Sequence, residues 1–366
     1  MMKRRTFIQC SLGAAVASPL IAAVRRDKLD AAAGVLANAT ADGRIHAAAL
    51  YVRQIDHQFA KSYGAAKSVD DIFLLASISK PISMAALMTL YDQGMLSLDD
   101  LVKKFIPEFT ADGRGTITVR QLLTHVSGLP DQLPENQTLR KRQAKLSEFV
   151  DLAVRTPLLF KPGAKYSYSS MAILLACEVA SRISGQSILN FINKTVFPPL
   201  GMKHSELGLD RFALNQVMQC QVMNAAPESG AGDATAKEWD WNSLYWRKFG
   251  APWGGVHASA PDVARFFGEF LHPAGKLFKP ATARLMLQNH NRAGLTPRGL
   301  GFNIGTAAGS PGCSARTFGH TGSTGTLVWA DPATDTICVV LTTLPGRAAD
   351  PHPRKLTSDR VAMAVL

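Results

Sequence analysis

Strand-like runs stand at both ends of the chain, and between them lies a long middle in which apolar residues recur with helical spacing. The strand-like runs are His46–Gln54, Gln58–Tyr63, Leu300–Thr306, Arg316–Gly319, Thr326–Ala330 and Thr336–Thr343. Strands at both chain ends with helices between them indicate one sheet formed from both termini. The pattern predicts an α+β fold, an antiparallel sheet built from both chain ends and flanked by helices, with a mostly helical lobe inserted into it.

The predicted helices are Asp27–Ala39 with Asp27 as its cap, Ile78–Asp92, a segment at 97–105 capped by Ser97, Val119–Leu123, Met171–Ile183, Pro261–Leu271, and a last helix after the Pro-rich turn at 347–355. We expect a sheet lobe over about 27–76 and 254–366 and a helical lobe over about 77–253. The main domain spans 27–345, and residues 346–366 form its C-terminal turn and helix.

Residues 1–23 have the composition of an export signal. The pair Arg4-Arg5 followed by Thr6-Phe7-Ile8 is the twin-arginine pattern, and small residues suited to cleavage follow near Ala17 and Ala23. A membrane anchor is the alternative, but Pro19 makes a stable spanning helix unfavourable. We expect a periplasmic or secreted protein whose mature chain has no transmembrane domain.

The formal net charge is +12, and loss of Lys3, Arg4 and Arg5 with the signal leaves +9. This basicity favours attraction to anionic cell-wall or lipid surfaces. The densest basic run, Arg140-Lys141-Arg142 with Lys145, is interpreted as a solvated helix face. Aromatic residues do not interleave with it and no nucleic-acid module is evident, so no nucleic-acid partner is predicted.

Cysteines and tryptophans raise two further questions. Cys10 lies in the export segment, and Cys177 and Cys338 lie in apolar runs that predict core positions. Cys220 and Cys313 lie in loop-like sequence, where pairing in an oxidising compartment is open.

Four of the five tryptophans fall within fifteen residues; they are Trp239, Trp241, Trp246 and Trp253. This cluster fits a local aromatic mini-core and the apolar wall of a binding cleft equally well.

Ser77 and Lys80 stand three residues apart at the start of a strongly apolar helix. They share one face, and the helix dipole favours a developing alkoxide on Ser77. Burial would lower the pKa of Lys80 and let its neutral amine take the serine proton. Such a short motif recurs by chance, and the alternative is a plain helix cap beside a surface lysine.

Two more elements could complete a catalytic centre. Tyr168 lies between the turn at 161–163 and an apolar helix, where it can shuttle a proton beside Lys80 or merely pack on the turn. The Gly-rich segment Gly319–Gly325 ends one strand and precedes another. It can present a backbone amide to an oxyanion, or it is a simple hairpin.

Three motifs, Ser77-x-x-Lys80, Tyr168-x-Ser170 and His320-Thr321-Gly322, stand in the order and approximate spacing of the serine β-lactamase and penicillin-binding protein superfamily. The chain most resembles the class C β-lactamase-related branch, which includes family VIII esterases, D-alanyl-D-alanine carboxypeptidases and D-aminopeptidases. The resemblance extends from about Asp27 to the C-terminus and includes the segments Leu122–Pro130, Lys161–Ser170, Phe197–Met202, Gly254–Phe266 and Phe318–Thr326.

The resemblance implies a β-lactamase/transpeptidase-like fold and a role for each matching residue. Ser77 would be the acylated nucleophile, with Lys80 and Tyr168 sharing general-base and general-acid work. The backbone amides of Ser77 and Ser323 would form the oxyanion hole. The remaining substrate-binding positions implied are Gln132, Ser170, His320, Thr321 and Gly322. No metal or cofactor is implied.

Two departures bear on the substrate. Ser170 stands where the family usually has Asn, so recognition of a substrate amide is weakened or altered. His320 stands where class C enzymes have Lys, and a fixed cation for a β-lactam carboxylate is then missing unless a nearby arginine supplies it.

The sequence thus predicts an exported serine hydrolase that acts through an acyl-enzyme. Its expected substrates are carboxylic esters or D-amino-acid-containing peptides and amides, and peptidoglycan-derived peptides belong to the second group. A non-catalytic penicillin-binding-like module and a weak β-lactamase are the alternatives. The absence of a G-x-S-x-G elbow argues against an α/β-hydrolase, and the absence of H-E-x-x-H argues against a metallohydrolase. The oligomeric state is left open.

Overall fold

The computed structural model of the chain describes the backbone of residues 18–365 and the side chains of residues 26–365. The twin-arginine motif and Cys10 lie outside the described residues.

Strands from the two ends of the chain meet in one antiparallel sheet. The strands in the described residues are β1 (Ala47–Gln54), β2 (His57–Gly64), β3 (Phe73–Leu74), β4 (Ser205–Leu207), β5 (Val256–Ala258), β6 (Asn303–Ile304), β7 (Phe318–Gly322), β8 (Thr326–Asp331) and β9 (Thr336–Thr342). Six of them form a sheet in the order β2-β1-β9-β8-β7-β6, and β3, β5 and β4 form a second, small sheet. β1 joins the two ends, because Val52 pairs with Phe59 on one side and with Cys338 on the other.

This architecture confirms the predicted fold class. One predicted strand is much shorter than expected, since Leu300–Thr306 contributes only Asn303–Ile304. Gly301 and Gly305 have φ values of 86° and 77°, and these left-handed residues interrupt the extended backbone on either side.

The helices are α1 (Ser18–Ala41), α2 (Ser79–Asp92), α3 (Val119–Leu123), α4 (Asn136–Lys141), α5 (Leu146–Arg155), α6 (Ser170–Ser184), α7 (Ile188–Thr195), α8 (Leu244–Phe249), α9 (Ala260–Leu271), α10 (Pro280–Met286) and α11 (Pro353–Ala364). The predictions for α2, α3, α6 and α9 are confirmed to within one or two residues. Asp27 is not a cap, because α1 is already helical from Ser18.

The helix predicted from Ser97 is wrong. Asp100 accepts a hydrogen bond from the Ser97 amide at 2.8 Å and folds this segment into a turn. Leu101 then bridges to Thr118, and only a short 3-10 turn, Val102–Lys104, follows. An extended bridge at Leu101 prevents the periodic apolar residues from continuing as a helix.

Helix α2 crosses the interior, and its residues from Ser79 to Leu90 are buried. Its N-terminal end is attached to the main sheet, since Thr324 and Thr326 donate hydrogen bonds to the carbonyls of Leu74 and Leu75, both at 2.7 Å. The chain just ahead of α2 is thereby held against the end of β7.

Cys177 and Cys338 are buried core residues, as predicted. Cys220 and Cys313, whose pairing the sequence left open, form no disulfide with each other or with another cysteine of the described residues. Among the described residues no single helix has the length and apolarity to cross a membrane; α6 and α7 pass that test only as a pair bent by 82°.

Candidate active site

Ser77 and Lys80 meet at the buried end of α2. Ser77 lies in the 3-10 turn Ala76–Ile78, and Lys80 lies in the first turn of the helix. Lys80 Nζ donates hydrogen bonds to Ser77 Oγ and to the carbonyl of Trp253, each at 3.0 Å. A hydroxyl and an amine are therefore in direct contact at the positive end of a helix, where negative charge on oxygen is favoured.

Burial decides the protonation of Lys80. The side chain is 0% exposed. Removal from water lowers the pKa of its amine to about 7; Asp131 opposes this shift and Arg298 adds to it. The amine is thus close to half neutral at pH 7 and can accept a proton.

Tyr168 completes the group on the other side of Ser77. Its hydroxyl is hydrogen-bonded to Ser77, and the Lys80 ammonium lies 4.7 Å from the centre of its ring. Burial raises the pKa of Tyr168 well above its usual value, and this outweighs the opposing effects of Ser77 and Arg298. Tyr168 therefore keeps its proton at neutral pH and faces Ser77 as a hydroxyl.

Two non-glycine residues near Ser77, Lys80 and Tyr168 have a left-handed backbone conformation. Ala76, immediately before Ser77, has a φ of 50°, and His125 has a φ of 61°. Such strain is tolerated only where the surroundings enforce it, and it is common at functional sites.

The end of β7 approaches the chain just ahead of Ser77 more closely than a side chain would allow. A Cβ at Gly322 would lie 2.2 Å from the carbonyl oxygen of Leu75 and 2.2 Å from Thr326 Oγ1. Arg354 donates hydrogen bonds to the carbonyls of Gly322 and Thr326 and fixes this turn from outside. Glycine at 322 thus allows the end of β7 to lie against the Leu75 carbonyl, and Ser323, the next residue, lines the same cleft as Ser77.

His320 on β7 is a neutral imidazole held by an arginine. Arg298 Nη2 lies 3.0 Å from His320 Nε2, and since a guanidinium only donates, Nε2 accepts this hydrogen bond. His320 Nδ1 then carries the proton and donates to the Thr321 carbonyl at 2.7 Å. Burial and, after it, the cations Arg298 and Lys80 lower the pKa of His320 well below its usual value.

Ser170 is engaged by an aspartate. The Ser170 amide and hydroxyl both donate to Asp131 Oδ1, at 2.8 and 2.6 Å. Neighbouring Gln132 faces the same cleft, and its buried Oε1 has no hydrogen-bond partner among the described residues. The position where the family usually has Asn is thus occupied by a Ser170–Asp131 pair, which adds a carboxylate near Lys80.

A cleft of about 580 Å³ brings the candidate residues together. Those in its wall are Ser77, Gln132, Tyr168, Ser170, His320, Thr321, Gly322 and Ser323, and Lys80 lies directly behind Ser77. No candidate is left remote from the cleft.

The tryptophan-rich segment serves both purposes considered from the sequence. Trp241, Trp246 and Trp253 are buried and also line the cleft. Trp239 is fully buried, and its Nε1 donates to Thr235 Oγ1 at 3.0 Å. Three of the rings form an apolar wall, while the fourth belongs to the local packing.

The interpretation of the basic run as a solvated face is wrong for one member. Lys141, Arg142 and Lys145 are exposed, but Arg140 is only 3% exposed and lines the cleft. The helix α4 is short and packs one face inward, so residues adjacent in sequence face different surroundings.

Sequence reasoning did not identify Arg298, His125 or Asp131 as site residues. Arg298 is separated from His125 by 173 residues, and no local motif distinguishes it among 40 lysines and arginines. His125 and Asp131 lie in and just after the segment Leu122–Pro130, whose resemblance to the family was the one available signal.

The comparisons with known proteins agree with this geometry. The family model named Beta-lactamase matches residues 26–361. A relative from Escherichia coli (strain K12), named "Putative D-alanyl-D-alanine carboxypeptidase", is 26% identical over 352 residues, which cover 84% of this chain and 80% of the relative.

Solved structures show the same fold at lower identity. EstCE1, described as a hydrolase with promiscuous acyltransferase activity, has a TM-score of 0.76 and 22% identity, with 94% of this chain and all of that chain covered. The D-amino acid amidase from Ochrobactrum anthropi SV3 has a TM-score of 0.73 and 21% identity over 93% of this chain and 99% of its own. A penicillin-binding protein homologue from Caulobacter crescentus has a TM-score of 0.72 and 23% identity over 93% of this chain and 98% of its own.

A fold of this kind, with a serine, a lysine and a tyrosine in one cleft, defines a serine hydrolase of the β-lactamase and penicillin-binding protein class. Because the family model covers most of its length, the chain belongs to the β-lactamase family.

Proposed function

We propose that the protein hydrolyses carboxylic esters or D-amino-acid-containing peptides and amides through an acyl-enzyme on Ser77. One observation carries this proposal: Lys80 Nζ lies 3.0 Å from Ser77 Oγ, and burial brings the pKa of that amine to about 7. A base of this pKa, in contact with the nucleophile, is suited to proton transfer at neutral pH.

Acylation begins with neutral Lys80. Its amine takes the Ser77 proton while Oγ attacks the substrate carbonyl carbon, and the resulting oxyanion accepts hydrogen bonds from the Ser77 and Ser323 amides. Tyr168 then donates its proton to the departing alcohol or amine, and the Lys80 ammonium returns a proton to Tyr168. The scissile bond breaks, and Lys80 is neutral again.

Deacylation repeats the sequence with water. Lys80 accepts a proton from water, either directly or through Tyr168, as the oxygen attacks the acyl carbon. The proton returns to Ser77 Oγ as the acyl bond breaks, which releases the carboxylic acid and restores the free enzyme.

Two features of the site bear on the choice among esters, D-peptides and β-lactams: Arg298 restores a cation for a carboxylate, and the change at Ser170 still argues against efficient β-lactam turnover. Arg298 supplies a cation beside neutral His320, so a carboxylate on the leaving group can still be recognised. The Ser170 hydroxyl donates its hydrogen bond to Asp131. Ser170 also lacks the side-chain amide of asparagine, which can both donate to and accept from a substrate amide. The carboxypeptidase named among the relatives supports a peptide with a free C-terminal carboxylate as one substrate.

Hydrolysis of a short-chain 4-nitrophenyl ester, a chromogenic cephalosporin and a D-alanyl-D-alanine peptide tests the proposal. We expect ester or peptide turnover that vanishes in Ser77→Ala and little cephalosporin turnover. Efficient cephalosporin turnover would instead establish a β-lactamase.

A serine-directed phosphonate detects a reactive Ser77 even if the enzyme acts on none of these three substrates. It should label the wild type at Ser77 and leave Ser77→Ala unlabelled. Equal labelling of both would contradict the acyl-enzyme and leave a binding module as the function.

We also propose that residues 1–23 direct twin-arginine export, on the evidence of the Arg4-Arg5 motif. Replacing both with Lys should retain a fused reporter in the cytoplasm, and unchanged export would contradict the proposal.

A further inference from the structure

Arg140 is a buried cation whose charge the fold leaves unpaired. Its Nε donates to Asn136 Oδ1 at 3.1 Å, and its guanidinium carbon lies 4.0 Å from the ring centre of Trp246. Its buried Nη1 has no hydrogen-bond partner, and no carboxylate within the described residues lies in ion-pair distance of the group. Glu228 acts on Arg140 only from farther away.

The buried Arg114 differs in this respect. Arg114 donates to the carbonyls of Val154 and Thr156, at 2.6 and 3.0 Å, and pairs with Asp112. Backbone and side-chain oxygens thus compensate that guanidinium. Arg140 has one such partner, and an uncompensated buried charge destabilises the folded chain.

Arg140 remains a cation under physiological conditions. Burial lowers the pKa of its guanidinium to about 10, with Tyr245 and Glu228 acting in the opposite direction. The group therefore keeps its proton at pH 7, and Glu228, which lines the same cleft beyond ion-pair distance, leaves it open to an anionic ligand.

The position of Arg140 indicates where that anion belongs. Arg140, Trp246 and Trp253 line the same cleft as Ser77, and the Trp246 and Trp253 rings are 6.5 Å apart. The Trp253 carbonyl accepts a hydrogen bond from Lys80, so this wall begins at the catalytic group. Arg298, a second arginine of the cleft, is instead engaged by His320 on β7.

We propose that Arg140 and Trp246 form a subsite for a carboxylate carried on the acyl part of the substrate. The proposal rests on the proposed function and narrows it to acyl groups that end in an acid, such as a dicarboxylic acid or a residue with an acidic side chain. Asn136 holds Nε and so fixes the plane of the guanidinium, and the part of the guanidinium that lines the cleft is the donor to the carboxylate. Trp246 packs against the guanidinium face and the adjoining methylene groups of the ligand.

Matched esters test the subsite. The 4-nitrophenyl monoesters of adipic and pimelic acid carry a terminal carboxylate, and the hexanoate and heptanoate esters have the same chain lengths without it. We expect the wild type to prefer the acidic member of each pair. In Arg140→Met the ratio of the two kcat/KM values should fall about tenfold or more, as expected for loss of a charged hydrogen bond.

Two further variants separate recognition from structure. Arg155→Gln removes a positive charge from an exposed position on α5 and should keep the wild-type ratio. Arg140→Lys keeps the charge without the planar guanidinium and should give an intermediate ratio of the two kcat/KM values. This variant still tests the subsite if Arg140→Met does not fold. An equal ratio in wild type and Arg140→Lys, or an equal loss in Arg155→Gln, would overturn the subsite.

A binding measurement keeps this inference distinguishable from the proposed hydrolysis. Calorimetry with Ser77→Ala should show that the monoamide of pimelic acid binds at least about tenfold more tightly than heptanamide, and Arg140→Met in the same background should abolish the difference. If the acidic ligand binds more tightly but the wild type turns over no ester, the proposed hydrolytic function is rejected and the subsite is retained. Equal binding of the two amides would reject the subsite alone.

Discussion

Arg298 donates a hydrogen bond across 3.0 Å to Nε2 of His320. This contact makes the imidazole a neutral acceptor and places a permanent cation immediately behind it. His125 Nε2 lies 3.2 Å from the same nitrogen of Arg298, so one guanidinium organises two imidazoles. The cation that the sequence leaves missing at His320 is present, but it comes from a loop residue.

The pH dependence of acylation should follow Lys80. Because the neutral amine is the active form and its pKa is about 7, kcat/KM for a neutral ester should rise about tenfold per pH unit below that value and level off above about 8. Tyr168, whose pKa is raised by burial, should add no fall between pH 8 and 9. Initial rates between about pH 5 and 9 measure the profile, and a rate that still rises about tenfold per unit between pH 8 and 9 would contradict the assignment of Lys80 as base.

Arg298 should discriminate substrates by the charge of the leaving group. Arg298→Gln is expected to lower kcat/KM for a peptide with a free C-terminal carboxylate about 10- to 100-fold more than for the same peptide with an amidated C-terminus. Parallel kinetics on the two peptides measure this. Arg316→Gln removes a charge at an exposed position and serves as the control. Equal losses on both peptides would assign Arg298 a purely structural role.

Gly322 should tolerate no side chain. In Gly322→Ala the new Cβ would meet the Leu75 carbonyl, push β7 away from Ser77 and lower the acylation rate about 100-fold. Overpacking should lower the free energy of unfolding by about 1–3 kcal/mol. Urea denaturation and phosphonate labelling measure the two effects.

Gly34→Ala is the matched control for that prediction. Gly34 lies within α1 with nothing near its added Cβ, so this change should stabilise the fold by up to about 1 kcal/mol and leave labelling unchanged. Wild-type labelling in Gly322→Ala would show that β7 does not supply the oxyanion contact.

The tryptophans of the cleft wall should report on acylation. A phosphonate on Ser77 is expected to change the fluorescence emission, because Trp246 and Trp253 line the same cleft. Trp253→Phe should reduce the change, and Trp239→Phe should preserve it, since Trp239 is fully buried with its Nε1 on Thr235. An emission spectrum that labelling leaves unaltered would mean that these rings do not sense the acyl group.

Local patterns in the sequence were sufficient for the fold class and the principal candidate residues. Alternating and apolar runs predict β1, β2, β8 and β9, because each strand depends on the character of a few consecutive residues. Ser77 and Lys80 are three residues apart on one turn, so their contact follows from helix geometry alone. The ordered motifs around Tyr168 and His320 then pointed to a common site.

Only the tertiary structure decided the charges in that site. Arg140 belongs to a basic run that favours an exposed face, yet packing against Trp246 buries it. Arg298 reaches His320 from a loop without a motif, and burial, rather than nearby cations, sets the pKa of Tyr168. Periodicity is a property of neighbours along the chain, whereas burial and ion pairing depend on distances between residues far apart in sequence, so the sequence could name the nucleophile and its base but not the cations around them.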